Sequence, residues 1–287
     1  MEIIRVFLNS IFICLFFSCS SNPFWNDNKT REIKISGTIS LDKKDRDVPI
    51  FVWVDTFVSH TTTDPEGYFS LPLNNSQSPS VNINGPIKVY FYVHNYSLDS
   101  AIVFFSDGRL SNEQTDFFND GKLKKEIILK KIVSASSNFL IDQEIQSQSV
   151  VLNNQDTLKF ILTLDFHQNT RISIHYRVVS HQDYQPSGIF FKSLTNDYIY
   201  NYRLINDQLI TLSYSEGEKI IYNFNIVCDS LEINTGLYEV IPFLLVNQNT
   251  IPSGLIGSLG GESLFEFSNK FPQLPVDFVY YTLQISN

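Results

Sequence analysis

Beyond about residue 30 the chain alternates. Apolar and polar residues exchange places at every second position in short runs, and Asn, Asp, Ser, Gly or Pro bounds each run. Period two sends successive side chains to opposite faces, so the pattern predicts half-buried strands, and helical periodicity is almost absent. In the first part, strands are predicted at 32–40, 49–55, 57–63, 68–73, 87–95, 102–106 and 124–132. Seven strands in about 100 residues with turn signals between them predict a sandwich. From about Val133 the runs at 157–166, 171–180, 188–194, 198–205, 208–214, 219–228, 236–246, 264–267 and 279–285 also read as strands. The expected fold is all-β, with two β-sandwich domains at 32–132 and 133–287.

The punctuation between runs has its own logic. In Asp64-Pro65-Glu66-Gly67, Pro65 presets φ, Gly67 supplies a conformation other residues resist, and Asp64 caps the turn through its side chain. The charged stretch Asp42-Lys43-Lys44-Asp45-Arg46-Asp47 reads as a solvated hairpin tip. With the lysines of the 124–132 strand, it protects sheet edges from pairing with other chains. Residues 251–262 hold five Pro or Gly in twelve positions, so they are expected to be a long loop, either a recognition element or a crossover between sheets.

The start of the chain follows a different pattern. Arg5 precedes an apolar run over 6–17, interrupted only by Asn9 and Ser10. A bilayer span needs about 20 apolar residues, so the run suits the core of a secretion signal. Leu15-Phe16-Phe17-Ser18-Cys19 resembles a bacterial lipobox, in which a small residue precedes an acylated Cys. Ser18 and Cys19 match the pattern, and Phe17 departs from it. The resemblance implies a signal peptide at 1–18 and a lipid, palmitate included, on Cys19. It places the protein in the cell envelope, at the outer membrane or cell surface. More than one acyl chain on Cys19 gives stable anchoring. Residues 19–31 read as a polar tether.

A second resemblance lies further on. Ile35-Ser36-Gly37-Thr38-Ile39, Val48-Pro49-Ile50-Phe51-Val52-Trp53-Val54 and Thr63-Asp64-Pro65-Glu66-Gly67-Tyr68-Phe69 resemble the carboxypeptidase regulatory-like domain. Val93-His94-Asn95-Tyr96 fits a later strand of that family, with Asn95 in place of a usual Gly. The resemblance implies a transthyretin-like sandwich without catalytic residues. The second domain is similar in strand order to immunoglobulin-like sandwiches. Its strand starts at Ser215-Glu216-Gly217-Glu218 and Asn234-Thr235-Gly236-Leu237-Tyr238 are faintly similar to bacterial proteinase inhibitors, whose prolines are missing here.

Composition narrows the function. Net charge is −9. The only basic cluster is Lys122, Lys124, Lys125, Lys130 and Lys131, so nucleic acid is not an expected partner. Cys14 leaves with the signal and Cys19 is lipidated. Cys228 is then alone, so no disulfide forms within one mature chain, and Cys228 reads as a buried inert thiol. Of the five histidines, His175 and His181 share parity with Ser173 and Arg177, which reads as a solvated face opposite Ile172, Ile174 and Tyr176. No zinc motif, calcium loop, nucleophile elbow or phosphate loop is present. Catalytic residues, metal and cofactors are therefore expected to be none. Tyr198, Tyr200 and Tyr202 share one strand face, and such rings either stack on sugars and anchor protein partners or pack inside a sandwich. The expected function is that of a non-catalytic, lipid-anchored envelope protein. It holds the membrane through Cys19 and acts as scaffold or binding module for a protein or glycan. The alternative is a lipid-anchored inhibitor of secreted proteases.

Overall fold

The computed structural model describes residues 33–57, 59–73, 84–141, 144–146, 149–152, 157–180, 183–203, 207–227, 233–248, 251–278 and 282–286. The signal, the tether, Cys19, His181 and Cys228 lie outside these residues. The chain divides into two units, Met1–Ile33 and Lys34–Asn287, and the fold resides in the second. It is all-β. Eight strands come first: β1 (Ile33–Leu41), β2 (Phe51–Val54), β3 (Ser59–Thr62), β4 (Tyr68–Leu73), β5 (Gly85–Tyr92), β6 (Asp99–Ser106), β7 (Arg109–Ser111) and β8 (Ile127–Leu129). They form a three-stranded sheet, β4-β1-β8, and a five-stranded sheet, β3-β2-β5-β6-β7. Strand β1 runs parallel to β8 and in register from Ile39↔Ile127 to Leu41↔Leu129. The alternation does what period two requires. On β1, Ile35 and Ile39 are buried while Lys34 and Thr38 face out. Phe69 of β4 meets Phe91 of β5 with ring centroids 5.8 Å apart, closing a core between the two sheets.

The turn at residues 64–67 follows its sequence logic. Asp64 Oδ1 accepts the amide of Tyr68 at 2.7 Å, and the Gly67 amide donates to Asp64 O at 3.0 Å. Gly67 has φ +81°, and a Cβ there would lie 2.2 Å from Ile39 O. Glycine is therefore required twice over, by conformation and by space.

The second region contributes β9 (Val133–Ile141), β10 (Glu144–Gln146), β11 (Ser149–Leu152), β12 (Thr157–Phe166), β13 (Thr170–Ser180), β14 (Asp183–Ser187), β15 (Ile189–Ser193), β16 (Ile199–Tyr202), β17 (Gln208–Tyr214), β18 (Lys219–Val227), β19 (Gly236–Pro242), β20 (Leu244–Asn247) and β21 (Thr282–Ile285). Its sheets are β10-β9-β12-β18, β11-β21-β19-β15-β16 and β14-β13-β17, with β20 also on β13. One core gathers Phe160, Ile174, Phe190, Val240 and Leu283 from all three. Among the described strands, none of β1–β8 enters a sheet of β9–β21.

Several expectations need correction. Residues 251–262 are not a plain loop. They hold helix α1 (Ser253–Leu259) and the start of a 3-10 turn, Glu262–Phe265, which replaces the strand expected at 264–267. Leu255 of the helix packs with Phe51, Trp53 and Tyr92, and Leu264 of the turn joins the core of the second region. The run at 236–246 is two strands, because the chain changes sheets at Phe243, whose amide donates to Gly188 O at 2.9 Å. Most of 124–132 is irregular, and Lys131 is buried instead of guarding an edge. His175 is only 6 % exposed, not on a solvated face. The rings of Phe243 and Phe267 cover it at 5.2 and 5.1 Å, so the middle of β13, residues 172–176, is buried on both faces.

Candidate functional site

Two places concentrate polar and aromatic side chains: the contact between the two β regions, and the open edge formed by β16. At the first, Asp277 has 0 % exposure and its carboxylate collects donors from both regions. The amide of Asp45 reaches its two oxygens at 3.1 and 3.0 Å, and the amide of Arg46 donates at 2.6 Å. The Tyr96 hydroxyl stands 2.5 Å from Asp277 Oδ2 and 2.6 Å from Lys43 O. Lys131 Nζ donates to Asp277 at 3.0 Å and to Asp45 at 2.5 Å, and lies 5.6 Å from the Tyr96 ring centroid. Asn95 completes the join, accepting from the Asp277 amide at 3.2 Å and donating to Asp277 O at 3.1 Å. Burial pushes the Tyr96 hydroxyl well above its ordinary pKa, and its hydrogen bond to the Asp277 carboxylate adds to the shift.

The charged stretch at 42–47 is therefore not a free hairpin tip. Strands β1 and β2 belong to different sheets, and the stretch between them docks on the second region. Its carboxylates are spent on cations of the protein: Asp45 on Lys131, and Asp47 on Lys44. Asp42 Oδ1 accepts the Lys131 amide at 2.8 Å.

His94 lies beside this network, fully buried. The amide of Val246 donates to its Nε2 at 3.1 Å, so that nitrogen is an acceptor and the proton sits on Nδ1, which faces the Tyr92 hydroxyl at 3.1 Å. Burial lowers its pKa to about 4, against a smaller upward pull from the Leu244 carbonyl. Gln248 Nε2 donates to His94 O at 2.7 Å and also to Tyr96 O. On the next face, helix α1 covers Trp53. A Cβ on Gly254 would lie 2.7 Å from Trp53 Cζ2, so the helix backbone rests on the indole with no room for a side chain. Trp53 Nε1 is buried without a hydrogen-bond partner among the described residues.

The tyrosine edge is built differently. Among the described strands β16 pairs only with β15, from Ile189↔Tyr202 to Lys192↔Ile199, and its other side is open. Tyr198 is 67 % exposed, whereas Tyr202 is 6 % exposed and belongs to the core. Tyr200 lies between these extremes. It packs on the core, meets Tyr238 edge-on at 5.8 Å, and its hydroxyl accepts from Asn234 Nδ2 at 3.1 Å. Leu194 and Leu237 are also exposed here, joined by an amide–carbonyl bond of 2.9 Å. The three tyrosines thus share parity but form a gradient of depth, with Tyr198 and part of Tyr200 facing solvent.

No family model matches the chain, and no curated protein matches it. Among solved structures it is similar to the major pilin subunit of Bacillus cereus, over 74 % of this chain and 88 % of that one, with 8 % identity and a TM-score of 0.25. At that TM-score no residue or role is carried over from the pilin.

One arrangement looks like a nucleophile and its base. Ser134 Oγ lies 2.8 Å from His167 Nε2. The other ring nitrogen, Nδ1, faces Lys43 Nζ at 3.1 Å. An ammonium only donates, so Nδ1 accepts, Nε2 carries the hydrogen, and the ring donates to the serine. A general base needs the opposite polarity. Among the described residues no three His, Cys, Asp or Glu side chains form a metal-binding group, and no helix is long and apolar enough to cross a membrane. The Asp277 network escaped sequence reasoning because its members are far apart in the chain. In the structure Asn95 and Tyr96 close an unbroken buried stretch, Phe91-Tyr92-Val93-His94-Asn95-Tyr96, in which His94 and Asn95 are as buried as their apolar neighbours.

Proposed function

We propose that the protein is a non-catalytic, lipid-anchored component of a bacterial cell envelope. Cys19 carries the lipid. A carboxypeptidase regulatory-like sandwich at 32–132 and an immunoglobulin-like sandwich at 133–287 form one scaffold. That scaffold presents the β16 edge to a protein or glycan partner. The observation that carries this reading is the tyrosine edge itself: a solvent-facing ring at Tyr198 and a half-buried, hydrogen-bonded ring at Tyr200, on an open strand fixed by the buried Tyr202. Rigid aromatic faces give contact area at little entropic cost, and such rings anchor both sugars and protein surfaces. The reversed Ser134–His167 polarity removes that one pair as a serine nucleophile and its base.

Two experiments test the reading. Palmitate labelling of the expressed protein is expected to disappear in Cys19→Ala, and persistent labelling or none at all in the native protein sinks the anchor. A glycan array, together with cross-linking in the envelope, is expected to give a partner whose recovery falls at least tenfold in Tyr198→Ala. A partner retained unchanged by Tyr198→Ala and Tyr200→Ala removes the tyrosine edge from the site.

A further inference from the structure

The sheet β4-β1-β8 turns its inner face to the first core, and its outer face has an unusual composition. Strand parity places Lys34, Ser36, Thr38 and Ser40 of β1 outward, since Ile35, Gly37 and Ile39 are buried. Lys122 is the bridge partner of Ser36, and Ile128 is the register partner of Ser40, so both share that face. On β4, Tyr68 points the same way, opposite the buried Phe69. Phe118 closes the rim: its amide donates to Lys122 O at 2.8 Å, and its neighbour Phe117 points into the core. Tyr68, Phe118 and Ile128 are 44, 47 and 48 % exposed. No other large apolar side chains of β1–β8 and their connections stand so far out among the described residues.

Charge on this face runs against the chain as a whole. The protein has a net charge of −9, yet residues 118–130 carry Lys122, Lys124, Lys125 and Lys130 against Asp120 and Glu126. Lys34 adds to them, and Glu66 lies at the turn before β4. None of these five lysines makes an ion pair among the described residues. Lysines around exposed rings and an aliphatic side chain are the composition of a surface that meets lipid headgroups.

The chain itself says what covers this face. The residue that enters the sheet is Ile33, next to Lys34, and Cys19 is fourteen residues before it. Extended chain reaches at most about 3.5 Å per residue, so an acylated Cys19 keeps this strand end within about 50 Å of the bilayer whatever the path. The covalent tether therefore supplies a high effective concentration of membrane to the face it enters. We infer that the outer face of β4-β1-β8, through Phe118, Ile128, Tyr68, Lys34 and Lys122, docks on an anionic bilayer surface and orients the protein on it. This rests on the lipid-anchor reading of Cys19.

The test uses the protein as cells process it, with palmitate labelling to record whether it is acylated. The protein is placed on vesicles of phosphatidylcholine alone or with one third phosphatidylglycerol. Lysines are then acylated by a water-soluble ester and quantified by peptide mass spectrometry. The expected result is at least threefold slower modification of Lys34 and Lys122 on the anionic vesicles. Lys219 and Lys270 should be unchanged, and the protection should be lost in the double variant Phe118→Ser, Ile128→Ser. Circular dichroism confirms that this variant, altered only at exposed positions, stays folded. Palmitate present with equal modification of all four lysines overturns the docking face and leaves the anchor. Protection without palmitate overturns the anchor and leaves the face. Protection that appears without vesicles and grows with protein concentration assigns the face to a second copy and overturns the proposal.

Discussion

The contact between the two β regions and the tyrosine edge draw on the same side-chain types and use them in opposite ways. Around Asp277, a carboxylate, an ammonium, a phenol and an amide are all removed from water and satisfied by one another. Along β16 the phenols run from solvent at Tyr198, through a hydrogen bond from Asn234 at Tyr200, to the core at Tyr202, and among the described strands one side of β16 is unpaired. The lesson is about what each place tolerates. Buried charges are expensive to desolvate, so such a network holds only while all its members are present. A half-exposed ring is nearly neutral to stability and free to serve recognition.

That contrast can be broken at several points, beginning with the most severe. Asp277→Ala leaves the buried Lys131 with Asp45 alone and takes the acceptor from the Asp45 and Arg46 amides and the Tyr96 hydroxyl, and the expected loss is about 3–5 kcal/mol of stability, read by chemical denaturation. The paired replacement Asp277→Leu with Lys131→Met is expected to recover only part of it, because the unmatched charge is removed while the Asp45 and Arg46 amides and the Tyr96 hydroxyl still lack their acceptor. If the double variant is as weak as the single, the network contributes through its hydrogen bonds to Asp45 and Arg46 instead of through charge pairing.

His94 sharpens the comparison through pH. Its folded pKa of about 4 lies below the ordinary 6.5. The unfolded chain therefore binds the proton more readily. The neutral ring's contribution is complete above about pH 6.5, shrinks as pH falls, and is gone below about pH 4. The linked loss approaches about 3 kcal/mol. Denaturation midpoints measured across that window should fall in the native protein and vary less in His94→Gln.

Gly254→Ala tests a close approach between the regions. Alanine gains about 1 kcal/mol of helix propensity over glycine. Against that, its methyl would sit 2.7 Å from a rigid indole, and overpacking costs about 1–3 kcal/mol. A net destabilisation of up to about 2 kcal/mol is expected in thermal unfolding. The smallest effect belongs to Tyr198→Ala, which should change stability by less than about 0.5 kcal/mol while removing partner binding.

Much of the fold was legible along the chain. The boundaries of β4, β12 and β17 coincide with the alternating runs at 68–73, 157–166 and 208–214. Each has a face toward a core, so period two shows. Period two disappears where both faces are covered. Ile50-Phe51-Val52-Trp53-Val54 is an unbroken buried run because α1 packs on the outer side of β2, and a continuous apolar run of that kind marks a strand without naming its second cover. The glycine-rich composition of 251–262 suggested a loop, yet Gly254 is there to let a helix lie flat on Trp53. The tyrosines were visible as a set by parity, but their graded depth depends on β15 and β19, which no local pattern records.

Trp53 sits where the two regions close on each other, buried and, among the described residues, without a partner for its indole nitrogen. An indole in such a place emits at short wavelength, and its light shifts to the red once water arrives. The chain has two tryptophans, Trp25 and Trp53, so replacing Trp25 by Phe leaves a single intrinsic lamp at the seam. Separation of the halves, by acid, denaturant or a bound partner, then becomes visible as a change of colour before any strand has melted.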